Sequence, residues 1–425
     1  MIQKITAVIG CLVLAAALPL WGQGPIAISG ARVLTVSQGV IENGTIVVEG
    51  GKIAAVGSDL KIPAGAQIID GRGKVVIPGM FDAGNQLGLV EIPFEEVTDD
   101  STEYTDPIHP ELRVVDALNA RSRNIRIARP AGIANAVVTP AGGNLISGQS
   151  ALIQLNGDST AEMVVKTPLA LHVNLGEESK ETYGNSDKSP KTRMGAMAML
   201  RQVFMKAQRY KVMLDSTAGN RNEAPTRDLK MESLVSALNR EIPVVVRANR
   251  LGDIESAIRL ADEFKLRLIL ADATSAWRIA GELRRRDIPV ILGPLLQAPS
   301  RIEAVDSRLD NAALLHKAGV TIAIQTSSSN GVRDLWFAVG YAIANGLPDA
   351  AALQAVTLNP ARIFGVDDRL GSIEVGKSAN LVILDGEPFR VKTHATTLLI
   401  GGRVVDLSNH QTELYEVVRK KYGIN

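Results

Sequence analysis

The sequence predicts an α/β fold: a (β/α)8 barrel of the TIM type joined to a small composite β-sandwich built from both ends of the chain. Three observations carry this prediction. Val/Ile-rich stretches broken by Gly, Asn and Asp lie near both ends, continuous apolar runs fill the middle, and amphipathic helical patterns separate most of those runs. Short apolar runs between turn residues read as antiparallel strands. Uninterrupted ones read as parallel strands covered on both faces. Strands alternating with helices favour a closed barrel over an open doubly wound sheet.

In chain order, residues 1–23 read as a secretory signal peptide: "MIQK" is the positive region, "ITAVIGCLVLAAALPLW" the apolar one, and "GQG" the small exit. The apolar run is shorter than the roughly 20 residues a spanning helix needs. "VIGC" resembles a lipoprotein lipobox, so lipid anchoring through Cys11 is the lesser reading. Cys11 is the only cysteine, so the exported chain has no disulfide and no thiol ligand, which fits a bacterial periplasm. No membrane contact is expected after cleavage.

Residues 24–77 and 367–408 form the sandwich in this reading. "NGTIVVEGGKIAAVG" is close to a complete hairpin, with "EGGK" as its turn. Residues 78–366 form the barrel, and 409–425 a C-terminal helix or tail. The barrel strands are "KVVIPGMFDA", "IANAVVTP", "SALIQL", "PLALHVNL", "IPVVVRAN", "LRLILAD", "IPVILGP" and "VTIAIQTS". Helical spacing is clear at 193–210, 229–240, 252–265, 275–286, 309–318 and 333–345. "SALIQL" follows its predecessor with no room for a helix.

Composition narrows the function. A net charge of +1 gives no reason to expect nucleic acid, and 4% aromatics argues against stacking platforms. "AGGNLISGQ" lacks the spacing of a nucleotide-binding loop and reads as a loop at the barrel mouth. In such barrels the chemistry lies where strands end. Those ends offer Gly84, Gln86, Glu177, Glu178, Arg247, Asn249, Asp272 and Ser327.

Several stretches resemble the amidohydrolase superfamily, most closely its secreted imidazolonepropionase-like group: "PGMFDAGNQLGL", "GGNLISGQSALIQLNG", "TRMGAMAMLR", "VVVRANRLGDIESAIRLADEF" and "AVTLNPARIFGVDDRLGSIEVGKSANLVIL". They span nearly the whole exported chain. The resemblance implies a barrel that uses zinc or another divalent metal to hydrolyse amide or related C–N bonds. It also implies a ligand set that this sequence lacks. Where the family's first strand ends in His-x-His, this chain has Gly84-Asn85-Gln86. Arg247 and Asn249 stand in the region of the fifth-strand histidine, Asp272 at the sixth-strand histidine, and Ser327 at the eighth-strand aspartate that serves relatives as metal ligand and base. Glu177 aligns with the acid of a "GEN" triplet.

The five histidines do not fill the gap. His109, His316, His394 and His410 lie in a loop, a helix, the sandwich and the tail, and only His172 is in a barrel strand. Catalytic zinc takes about three imidazole, carboxylate or thiolate ligands. Gly84 offers nothing, Gln86 and Asn249 neutral amides, Ser327 a weak hydroxyl, and Arg247 a permanent cation. The expectation is therefore no cofactor and no metal ligand. Arg247 is expected to stand where a metal would, its guanidinium within salt-bridge reach of Asp272 or Glu177. No residue is assigned a catalytic role: Ser327 to Ser329 have no base placed to activate them, and a Glu177/Asp272 acid–base pair would suit glycosidase chemistry that the low aromatic content disfavours. The sequence thus reads as a silent relative that binds a small molecule or associates with itself or an active homologue. The alternative is a working hydrolase of non-peptide C–N bonds with a remodelled site.

Overall fold

The computed structural model describes residues 24–184, 188–217, 225–296, 298–299 and 301–423. The leader read at residues 1–23, with Cys11, lies outside the described residues. Among the described residues, no helix is long and apolar enough to cross a membrane.

The chain opens with β1 (Ile26–Leu34), β2 (Val40–Glu49), β3 (Lys52–Gly57), β4 (Gln67–Asp70) and β5 (Val75–Pro78). β2 and β3 form the predicted hairpin, turned by Gly50 and Gly51, both at positive φ (56° and 82°), a conformation a side chain would strain. β1 changes partner partway along: Ile26 to Ser29 pair with β4, while Arg32 and Val33 pair with β5. The C-terminal strands Leu381–Leu384 and Ala395–Ile400 then add antiparallel beyond β5. One eight-stranded sheet thus takes strands from both ends of the chain. Its core mixes the two sources, with Ile28, Val33, Ile46, Val76, Leu381 and Ile383 all buried in one cluster.

The barrel begins one residue after β5, with β6 (Met80–Asn85) and then β7 (Ile133–Val138). β8 (Ile146–Gln149), β9 (Ala151–Gln154) and β10 (Val164–Lys166) follow, then β11 (Leu171–Asn174), β12 (Val244–Ala248), β13 (Leu268–Asp272), β14 (Val290–Leu292) and β15 (Ile322–Ile324). β6 and β7 are parallel, as are β11 to β15 in sequence. The third predicted strand, "SALIQL", departs from the strict alternation. Its β9 portion runs antiparallel to β7, and the preceding β8 runs antiparallel to β11. A strand that follows its neighbour without a crossover helix can only return in the opposite direction.

Residues alternate between two cores along these strands. Phe81, Ala83, Val245, Ile269, Ile291 and Ala323 fill the interior, whereas Val244, Val246, Leu268, Leu270 and Val290 face the surrounding helices. The helices follow the predicted spans closely. That at Arg193–Ser216 runs a further turn and a half, and the predicted 275–286 helix is a 3-10 turn, Ala276–Ile279, leading into Ala280–Arg285. The tail helix His410–Tyr422 is capped by Asn409 and Thr412 and buries no residue.

The strand ladder does not continue from β15 to β6; bonds at the strand ends link them instead. The Ser327 amide donates to the Gly84 carbonyl at 2.9 Å, and the Gln86 amide to the Ser328 carbonyl at 3.1 Å. Asp82, wholly buried on β6, reinforces this seam: its Oδ1 accepts the amides of Thr326 (3.0 Å) and Gly84 (3.2 Å), and its Oδ2 bonds the Thr326 hydroxyl. Burial outweighs these donors and pushes Asp82 up to about 7.

That value has a consequence for stability. A carboxyl with a pKa of about 3.9 unfolded and higher when folded contributes stability that is complete below the unfolded value and lost as pH rises through the folded one. In D82N, Oδ1 can keep both amides and Nδ2 can donate to the Thr326 hydroxyl, with nothing left to titrate. Between about pH 4 and about pH 8 the native protein is expected to lose up to about 4 kcal/mol that D82N does not lose. Denaturant titrations of both proteins across that range measure the difference; parallel pH profiles would refute it.

Candidate functional site

Arg247 lies two residues beyond Val245 on β12 and so points into the barrel. There it meets carboxylates from two other strand ends. Its Nε lies 3.0 Å from Asp272 Oδ2 as an ion pair, and its Nη1 donates to Glu178 Oε2 at 3.5 Å. The ion pair with Asp272 is as the sequence led us to expect. The second carboxylate, however, is Glu178 and not Glu177. Glu177 opens a short helix, Glu177–Gly184, and its carboxylate turns to the Glu303 amide at 3.4 Å. Glu178 reaches the arginine across Gly142, where a Cβ would fall 2.1 Å from the Glu178 carboxylate.

The other Asp272 oxygen is also occupied, since Gln325 Nε2 donates to Oδ1 at 2.8 Å. Gln325 follows Ala323 by two and shares its interior face. Its amide reaches across to β6, where a Cβ built on Gly84 would lie 2.2 Å from Gln325 Oε1. The space that a side chain at Gly84 would need is therefore filled from the opposite strand.

A second network adjoins the first. The Glu303 carboxylate accepts the Glu177 amide at 2.6 Å and Asn249 Nδ2 at 3.2 Å, and Asn249 Oδ1 in turn accepts the Thr274 hydroxyl at 2.5 Å. Burial raises Asp272 to about 6, against the pull of Arg247 and with help from Glu178 and Glu303. Burial also raises Glu303, and the nearby Asp272 raises Arg247 further. His172, beneath Arg247 on β11, is driven down to about 3 by burial and then by that guanidinium, so it is neutral near pH 7, and its Nε2 has no partner.

Of the residues singled out from the sequence, Glu178, Arg247, Asn249 and Asp272 line a mouth cavity of about 500 Å³, together with Thr274 and Glu303. Leu295, Leu296, Pro299 and Leu309 give it an apolar side. Gly84, Gln86, Glu177 and Ser327 are not among its lining residues. Gln86 bonds Thr139 at 3.3 Å, and the Ser327 hydroxyl is buried without a partner. Among the described residues, no three His, Cys, Asp or Glu side chains converge as a metal-holding group.

Sequence reasoning missed Glu303 and Gln325. Glu303 sits in a 3-10 turn far along the chain after β14, with no spacing to mark it. Gln325 was detectable, because a polar residue in register with Ala323 on a buried strand must face the interior. Chemically, the mouth offers a charged and amide-rich floor beside an apolar wall, which suits a small ligand with a polar end.

The comparisons agree with this frame. The amidohydrolase family model matches residues 159–412, more than half of the chain. The solved structure of an amidohydrolase from Thermotoga maritima MSB8 superposes with a TM-score of 0.86 at 32% identity, over 90% of this chain and 99% of that one. Imidazolonepropionase of Syntrophobacter fumaroxidans is 26% identical over 386 residues, 82% of this chain and 84% of the relative. Amidohydrolase tasK of Hapsidospora irregularis is 24% identical over 84% of this chain, which spans only 39% of that protein's length. A barrel whose first and last strands are sewn at Asp82, a sheet made from both ends of the chain, and a match over most of the barrel lead to one assignment: the chain belongs to the amidohydrolase family.

Proposed function

We propose that this protein is a catalytically silent amidohydrolase whose barrel mouth binds a small molecule without a metal. The observation that carries the reading is the Arg247–Asp272 ion pair, with Gln325 filling the side-chain space of Gly84. The donor set does not fit a divalent cation. Gly84 has no ligand atom, the Asn249 oxygen accepts from Thr274, and Asp272 gives one oxygen to an arginine and the other to an amide. A guanidinium among these groups repels a dication and stabilises the carboxylates in its stead. The export signal read at residues 1–23 would place this activity in a bacterial periplasm.

A second reading, a working hydrolase of non-peptide C–N bonds, has one point in its favour. Asp272 titrates near 6 beside the cavity, in the range of a useful proton acceptor. Among the described residues beside it, the Thr274 hydroxyl donates to Asn249 and no base activates it as a nucleophile, and acid–base assistance alone contributes only about 10²–10⁴-fold.

Three experiments examine the proposal. Purified protein dialysed against zinc and then against buffer should retain far less than one metal per chain, and should not hydrolyse small cyclic amides or dipeptides. Stoichiometric metal together with turnover would overturn it. R247M should lose about 3 kcal/mol near pH 8, because Asp272 and Glu178 are left without a counter-charge. The loss should shrink near pH 5, where Asp272 protonates. Zinc should leave the melting temperature of the native protein unchanged; a zinc response there contradicts the replacement of a metal by the guanidinium. Finally, G84A should cost about 1–2 kcal/mol by displacing the Gln325 amide. In a Q325A background the same change should be nearly neutral, and additive effects would show that the two positions do not share that space.

A further inference from the structure

A second cavity, of about 410 Å³, shares Leu175 with the mouth and is lined by Gly176 and by four arginines, Arg193, Arg201, Arg250 and Arg259. Asp253 is the one acid in its lining, and Arg193 already pairs with it at 2.7 Å. Arg201 is engaged by Glu263 at 2.8 Å. Arg250 and Arg259 are exposed and have no carboxylate partner among the described residues; Arg259 donates only to Ser256 Oγ, at 2.8 Å. One Arg193 nitrogen, Nη2, is shut off from solvent without an acceptor.

The backbone adds to this excess of donors. The 14-residue helix Leu251–Phe264 starts at the cavity, and its N-cap residue, Arg250, provides no side-chain cap. The amides of Leu251 and Gly252 therefore have no acceptor among the described residues. A Cβ added at Gly252 would meet nothing within 4 Å, so the helix end is open on that side. An uncapped helix start beside two guanidinium groups without carboxylate partners presents donors and positive potential to the cavity.

We propose that this cavity binds a small phosphorylated molecule, its phosphate held by Arg250, Arg259 and the open amides of Leu251 and Gly252. Guanidinium groups and helix amides both bond phosphate oxygens well. A phosphate offers three acceptor oxygens in different directions, which suits donors arriving from two side chains and a helix end. A carboxylate offers two oxygens in one plane. Met194, Ala196 and Met197 give the organic part of the ligand an apolar surface. The site does not depend on whether the mouth is catalytic.

The test is calorimetric titration of the purified chain with inorganic phosphate and with citrate, at ionic strength held constant with chloride. Phosphate is expected to bind saturably at one site. In R250A/R259A it should bind at least about tenfold more weakly, while R247M, altered only in the mouth, should bind as the native protein does. An unchanged melting temperature in the absence of phosphate verifies that the double variant is folded. Three results would each overturn the proposal: no saturable phosphate binding above the chloride background, equal affinity in R250A/R259A, or binding of citrate in preference to phosphate, which would reassign the cavity to polycarboxylates.

Discussion

A guanidinium held inside a barrel mouth is the constraint around which the rest of this site is arranged. Arg247 reaches the interior because β12 alternates, and an interior cation must find anions. It finds Asp272 and Glu178 from two other strand ends, and Glu303 lies close enough to strengthen its charge. Each of these acids would be costly without it, since a buried carboxylate with no counter-charge is far less stable than a paired one. The dependence runs both ways. Removing either side leaves an unpaired charge in a low-dielectric space.

Gln325 extends the same arrangement across the barrel. It bonds the Asp272 oxygen that Arg247 leaves free, and its amide occupies the room that Gly84 leaves on the facing strand. A side chain at Gly84 and the present position of Gln325 are mutually exclusive. The two positions act as one unit of packing, so the loss of bulk on β6 and its gain on β15 are a single structural fact. Below them Asp82 ties the same two strands through Thr326, in a seam that uses backbone amides and needs no particular residue at Gly84. The frame can therefore stay closed while the chemistry above it changes.

This separation bears on how family membership is interpreted. The barrel, the composite sheet and the match to an amidohydrolase of Thermotoga maritima at 32% identity all concern the frame. A fold hosts many chemistries, and function resides in the site grafted on it. Here the cavity is lined by Arg247, Arg301 and Arg308, by the amides of Asn174, Asn249 and Asn311, and by the acids Glu178, Asp272 and Glu303, beside an apolar wall. On the reading proposed above, that composition binds a molecule instead of activating water.

The architecture follows from local pattern: apolar runs long enough to be buried on both faces, helical patterns between them, and hairpin chemistry at both ends admit few other folds. The residue types at the strand ends are also written in the sequence, so the scarcity of imidazole and an arginine within reach of Asp272 or Glu177 could be read from it. Which carboxylates the arginine holds depends on how the strand ends meet in the folded barrel. Glu177 and Glu178 are adjacent in the chain, but the helix they begin turns the first toward Glu303 and the second toward Arg247. The folded barrel alone reveals Glu303 and the exchange of space between Gly84 and Gln325, because these partners are separated by 126 and 241 residues, respectively. Local pattern sets how a segment folds, whereas contacts between distant segments depend on closing the barrel, and no short stretch of sequence encodes that closure.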